Sequence, residues 1–406
     1  MTYIAFALKE RRLLTFAVSF TFFSSFGQTF LISLFVPYFL IAFELNNATF
    51  GTLYSAATLT GATALPWLGQ WIDRIPLRQY SLYVALALLF ASILMAISWH
   101  ISMLFVSLIM LRLAGQGLSS HTAATTMARH YDGNRGKALS ISSLGYPLGE
   151  AVLPTIIAAI LVMFHWRTTW AFIATVIAIF FIPAIWYLVR GEKNVVTDDD
   201  KPSAEVRSTR DNYREIFADT RTPFVIAATI MPAFWVTGLF LYQVVAADSL
   251  GWSVALIASA FIAFAFARII SGLAAGPVID RISARSIFPF YLLPMIAGFL
   301  IAYHVNANWA AFAYMGFVGV TMGLGSTMKA ALWAEMYGTK MIGTVQSLFA
   351  TIMVLSTAVS PFLVGWMLDA SFTIHTILMI AIFSSIIAGL LSFRVFPAFD
   401  KKKRLI

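Results

Sequence analysis

The chain has 406 residues, 60% hydrophobic and 11% charged, with a mean hydropathy of +0.83. That balance excludes a water-soluble domain, since its apolar runs exceed the roughly 20 residues that span a bilayer as helix. The net charge of +9 would suggest nucleic acid in a soluble protein; here its clustering in short loops accounts for it, and no nucleic-acid partner is expected.

Runs such as Tyr83 to Ser98 and Ala171 to Val189 do not alternate, as barrel strands would, so helices are expected. Lys9-Glu10-Arg11-Arg12 precedes an apolar stretch from Leu13 to Phe43. It is too long for a signal peptide and has no small-residue cleavage site, so it reads as an uncleaved first span. Further spans are expected near 49–70, 79–98, 101–127, 137–164 and 167–189. A polar break follows from Gly191 to Asp219, a solvated linker with a short amphipathic helix along Tyr213 to Phe217. Spans resume near 222–247, 252–275, 286–304, 308–336, 342–368 and 372–396. The expected fold is an all-α membrane protein of twelve transmembrane helices in two pseudo-symmetric six-helix bundles. Residues 1–190 form the first bundle, 191–220 a cytoplasmic linker, and 221–406 the second bundle with a basic tail.

With the N-terminus inside, 23 of the 27 Lys and Arg residues fall on the cytoplasmic side. Arg167 falls outside, and Arg112, Arg268 and Lys329 fall within spans. This asymmetry predicts a multi-pass protein with both termini in the cytoplasm. The absence of cysteine rules out disulfides and fits a bacterial cytoplasmic membrane. No His or Cys cluster has metal-ligand spacing, and no nucleotide motif follows a strand, so neither a metal, a cofactor nor an enzymatic activity is expected.

One charged stretch is written twice. Gly69-Gln70-Trp71-Ile72-Asp73-Arg74-Ile75-Pro76-Leu77-Arg78 returns 207 positions later as Gly276-Pro277-Val278-Ile279-Asp280-Arg281-Ile282-Ser283-Ala284-Arg285, with six of ten residues identical. Such duplication underlies alternating access in membrane transporters. The stretch, lying between spans 2 and 3 and again between spans 8 and 9, resembles the signature loop of the major facilitator superfamily. The resemblance covers the whole chain and implies a monomeric secondary transporter with a twelve-helix fold. It implies that Gly69, Asp73, Arg74 and Arg78, with Gly276, Asp280, Arg281 and Arg285, form the gating loops. Asp73 would face the start of span 11 near Gly343, and Asp280 the start of span 5 near Gly136 to Ser140.

Charges inside the membrane need a reason. Arg112, in Arg112-Leu113-Ala114-Gly115-Gln116-Gly117, resembles the family's span-4 motif. It is either a substrate-linked cation or a structural arginine that holds span 1 through carbonyls. Arg268 lies in span 8, eight residues before Gly276. Its surroundings are similar to those of the monocarboxylate-transporter branch, where an arginine there holds the substrate carboxylate; the other reading is a structural ion pair. Phe264 stands where the animal members of that branch carry an acid, and span 1 offers Gln28 in place of their lysine. Proton coupling therefore does not carry over by resemblance.

Span 5 reads Leu144-Gly145-Tyr146-Pro147-Leu148-Gly149-Glu150 and resembles the Gly- and Pro-rich motif of several facilitator branches, the oxalate/formate carriers among them. Glu150 is either a proton-exchanging group or a carboxylate neutralised by Arg112 or hydroxyls. His121 is either a proton relay or a hydrogen-bonded contact. Lys329 either attracts anions or reaches to the interface, and Glu335 is expected in an inner-face ion network. By resemblance, spans 1, 4, 7 and 10 line the cavity. Gln28 beside Gly27, and Trp235, Tyr242 and Gln243 beside Gly238, are the expected substrate contacts on two Gly-broken spans. The function expected is transport of a small organic anion, a monocarboxylate for example, with protons as a candidate coupling ion. The alternative is a proton-driven efflux antiporter for drugs or metabolites.

Overall fold

The computed structural model describes residues 3–190, 209–338 and 342–397. The expectations for the linker over 191–208, for Lys340 and for the tail beyond 397 lie outside the described residues. Among the described residues every regular element is helical. The chain divides into two compact units, Met1–Lys201 and Pro202–Ile406.

In the first unit a short helix α1 (Tyr3–Lys9) leads into α2 (Arg11–Gly27) and α3 (Thr29–Ala42), which meet at a bend of 45°. Then come α4 (Asn47–Gly69), α5 (Leu77–Ala96), α6 (Ile101–His130), α7 (Arg135–Met163) and α8 (Trp166–Leu188). The second unit begins with α9 (Thr209–Ala218), longer than the expected amphipathic helix. It continues with α10 (Thr222–Leu241), α11 (Gln243–Ser249), α12 (Val254–Ile282), α13 (Ala284–His304), α14 (Asn308–Tyr337), α15 (Ile342–Asp369) and α16 (Ile374–Ser392).

Among the described residues ten helices are long and apolar enough to cross a membrane, or eleven if the bent pair α2/α3 is one span. Helix α4 is 23 residues long but less apolar than these, because Thr49, Thr52, Ser55, Thr58, Thr60 and Thr63 stud it. Its hydroxyls are still satisfied within the helix: Thr52, Thr58 and Thr60 each donate to the carbonyl four residues back at 2.7–2.8 Å. Large apolar side chains face outward, with Ile41 81% and Val162 86% exposed, as a lipid solvent allows and water does not. Side-chain caps start several helices. Asn46 Oδ1 accepts from Thr49 N at 2.8 Å, Ser253 Oγ from Leu256 N at 3.1 Å, and Thr373 Oγ1 from Thr376 N at 3.2 Å.

Two elements differ from expectation. The second copy of the charged stretch is not a loop: α12 runs on through Ile282, and the chain turns at Ser283, whose φ is +84°. Ile279 faces inward in this last stretch, so burial favours continuing the helix. In the first copy Pro76 supplies the break, with φ −53° and ψ 137° before α5. Gly238 also does not interrupt its span. Helix α10 passes through it to Leu241, and the glycine instead admits α15: an added Cβ would lie 2.5 Å from Ser360 Oγ and 2.6 Å from Val364 Cγ2.

Candidate functional site

The first span breaks at Ser24-Ser25-Phe26-Gly27-Gln28. Residues Ser24–Gly27 wind as a 3-10 turn, and Gln28, half-buried, is extended with φ −86° and ψ 150°. A helix end leaves carbonyls without an intrahelical partner. Arg112 supplies one. Its Nη1 donates to Gly27 O at 3.0 Å and its Nε to Thr58 Oγ1 at 3.0 Å. The guanidinium lies 5.0 Å from the centre of the Tyr54 ring, and Tyr54 Oη is 2.8 Å from Thr29 Oγ1. Three helices thus meet at an arginine that is 5% exposed, and α3 joins them through Tyr54. Arg112 sits in a π-helical stretch of α6, Leu111–Ser119. Glycines make the crossing possible: a Cβ on Gly115 would lie 2.7 Å from Gly27 N. Arg112 thus bonds to a carbonyl of the first span, as its structural reading expects.

Glu150 is 7% exposed on α7, next to the glycine seam against α2. Among the described residues Arg112 does not bond to it, so the pairing considered from sequence is not formed. His121, on α6, places Nε2 3.2 Å from Gly69 O and Nδ1 3.4 Å from Thr125 Oγ1.

The same end of α6 grips the first charged stretch. Arg129 forms an ion pair with Asp73, and its Nη1 reaches Ile72 O at 3.5 Å. Arg78 stacks 3.2 Å above the Trp186 ring, while Arg74 is exposed. In the second unit Gly276 lies inside α12, and Asp280 and Arg281 are exposed. Glu335 takes the part of Arg129. Its Oε1 accepts from Ala284 N at 2.8 Å and its Oε2 from Arg285 N at 3.1 Å. Arg285 Nε donates to Val395 O at 3.1 Å. The expected ion network at Glu335 is therefore a cap on α13, which suits a carboxylate at a helix N-terminus.

Arg268 is half-buried, the fifteenth of the 29 residues of α12. Its stretch of α12 packs on α14. Gly323 lies against Arg268 O and Gly319 against Phe264, while Thr327 Oγ1 donates to Gly272 O at 3.1 Å. The other expected contacts of this unit are buried and engaged with its helices. Trp235 Nε1 donates to Ser384 Oγ at 2.9 Å, and Tyr242 Oη to Pro361 O at 3.3 Å. Gln243, 3% exposed, lines a small cavity with Leu239, Trp252 and Tyr314.

The family profile described as Major Facilitator Superfamily matches residues 18–246 and 223–405. The chain belongs to this superfamily. No curated protein matches it in sequence. Among solved structures, a bacterial homologue of the human lysosomal transporter Spinster, inward-facing and unoccupied, is similar with a TM-score of 0.70 and 15% identity. That match covers 95% of this chain and 96% of the other. The nucleoside transporter NupG is similar with a TM-score of 0.71 and 12% identity, covering 95% and 98%. At such identities the likeness carries the fold alone. This facilitator is thus a multi-pass membrane protein and a secondary transporter of small molecules, not an enzyme.

Sequence reasoning did not single out Thr58, Tyr54 or the paired roles of Arg129 and Glu335 in this facilitator. One signal was present: Tyr131 and Tyr337 align, and the same alignment sets Arg129 opposite Glu335. The Arg129–Asp73 pair has side-chain exposures of 38% and 49%. Exposed pairs contribute little, so Arg129→Gln is expected to shift thermal stability by less than about 1 kcal/mol. Melting of the purified variant checks this.

Proposed function

We propose that the transported solute is a small organic anion, a monocarboxylate being the simplest case, and that Arg268 is its main partner. The observation that carries this reading is Arg268 at the midpoint of α12. At 1.5 Å per residue it stands about 21 Å from either end of the helix. A guanidinium at bilayer depth costs roughly 2.5–3.5 kcal/mol by insertion scales, and its planar fork matches a carboxylate with two parallel hydrogen bonds. Arg112, which bonds to Gly27 O and Thr58 Oγ1, is the second or alternative partner. Gln28, at the break of that span, is the candidate polar contact in the first unit.

The proposal includes twelve spans, counting α4 and the bent α2/α3 as one each, in two six-helix bundles that alternate access. It places the basic loops and both termini in the cytoplasm of a bacterial cell. Protons enter as a candidate coupling ion through Glu150 or His121. The test is a thermal-shift series of the purified protein with lactate, acetate and oxalate. Wild type is expected to be stabilised. Arg268→Gln, by losing two charge-assisted bonds of about 1.5–3 kcal/mol each to the ligand, should bind at least about 100-fold more weakly. An Arg268→Gln variant that responds to these anions like wild type ends the proposal. For coupling, gradient-driven uptake into proteoliposomes that survives Glu150→Gln removes Glu150 from that role.

A further inference from the structure

Lys329 stands eight residues before the end of α14 at Tyr337, about 12 Å from that end. A lysine at such depth ordinarily extends its stem toward the interface. Here the way along its own helix is closed. Trp333, one turn on, is 4% exposed and stacks on Phe349 of α15, with ring centroids 3.8 Å apart and 27° between planes. The ammonium lies beside Met353, one turn from Phe349 on α15, with Nζ 3.8 Å from Sδ. A thioether is a weak acceptor.

Among the described residues no carboxylate, hydroxyl or carbonyl bonds to this ammonium. The nearest acid along the helix, Glu335, gives both oxygens to the amides of Ala284 and Arg285. Tyr291 lies close, since the Cβ position of Gly325 is 3.4 Å from its ring and 3.6 Å from Lys329 Cε. Its hydroxyl is already given to Ala228 O at 2.6 Å. The charge is therefore held among carbon, sulfur and ring faces. A cation in that setting calls for an anion that comes and goes.

Its place relative to Arg268 follows from the packing of α12 on α14. Gly323 is level with Arg268, so Lys329 lies six residues further toward the end that bears the second charged stretch, about 9 Å along the axis. Thr327 faces α12 through its bond to Gly272 O, and Lys329, two residues on, is turned about 200° from it. One small carboxylate cannot be clasped by both cations.

We propose that Lys329 is a second anion station, separate from Arg268, at which the transported carboxylate docks on the side of the second charged stretch. The proposal rests on the anion reading of Arg268. The test uses lactate as probe, with the full-length protein reconstituted in one orientation and uptake measured from each face. Lys329→Gln is expected to raise KM for lactate about tenfold or more from the face bearing the second charged stretch. From the opposite face KM should stay unchanged, and the lactate thermal shift carried by Arg268 should remain. Lys329→Arg should restore the lost affinity, which no loss of packing would explain.

Removal of an unpartnered cation should leave the ligand-free melting point of Lys329→Gln and Lys329→Met at or above that of wild type. Wild-type KM from both faces in Lys329→Gln overturns the station and leaves Arg268 standing. Lowered melting in both variants makes Lys329 structural and also overturns it. A wild-type protein that lactate, acetate and oxalate all fail to stabilise overturns the reading of Arg268 and the station together.

Discussion

Arg112→Gln is expected to destabilise the first unit by about 3 kcal/mol, because it removes two charge-assisted hydrogen bonds from a buried site. The bond to Gly27 O matters more than the one to Thr58 Oγ1. Thr58 also donates to Tyr54 O at 2.8 Å and stays satisfied, whereas the Gly27 carbonyl sits where the helix has stopped. Left buried and unpaired, that carbonyl bears the full cost of its desolvation. Arg112→Lys keeps the charge but not the fork, and one ammonium cannot reproduce the directions of both bonds, so it should recover less than half of the loss. Thermal unfolding of the purified variants measures this. The decisive comparison is with Arg268→Gln, which should lose its response to carboxylates. If instead Arg112→Gln melts like wild type and loses that response, Arg112 is the ligand's cation and the bond to Gly27 is incidental.

The membrane class and the long helices were legible because lipid imposes one rule on the whole chain: apolar side chains outside, backbone satisfied within the helix. Length and hydropathy carry that rule residue by residue. The twice-written charged stretch was legible as well, since six matched residues at a fixed offset survive any local distortion. What the residues do at the ends of their helices was not. Asp73 lies within the first copy and Glu335 packs on the second, yet one acid meets a guanidinium and the other two backbone amides. That difference depends on whether the chain turns at Pro76, before α5, or at Ser283 with its positive φ, and on which groups the turn leaves pointing outward. Periodicity is blind to it. The bond from Arg112 to Gly27 O could not be read from sequence either, because it depends on a π-helical turn over Leu111–Ser119 and on Gly115 lying against Gly27.

The glycine seam of α7 gives the sharpest test of packing. Gly149→Ala is expected to cost about 1–3 kcal/mol, because its new methyl would overlap Ser25 Oγ on the first span. That oxygen has no hydrogen-bond partner among the described residues, so removing it sacrifices no bond. Ser25→Ala in the same chain should therefore recover most of the loss, leaving a Cβ contact of 3.2 Å and a distance of 3.4 Å to Phe22 O. Gly145→Ala is a different case. Its methyl would meet Thr21 Oγ1, but also Val18 O and Phe22 N, which belong to the backbone and cannot rotate away. Thr21→Ala should give no rescue there, and it forfeits the bond from Thr21 Oγ1 to Ser142 O at 2.5 Å. Melting the four single variants and the two pairs yields two coupling energies. Strong coupling at Gly149–Ser25 with none at Gly145–Thr21 would show that α7 meets the first span side chain to backbone at one end and backbone to backbone at the other. Equal coupling at both would mean that the span slides along α7 to make room, and the seam would then be a sliding contact and not a fixed one.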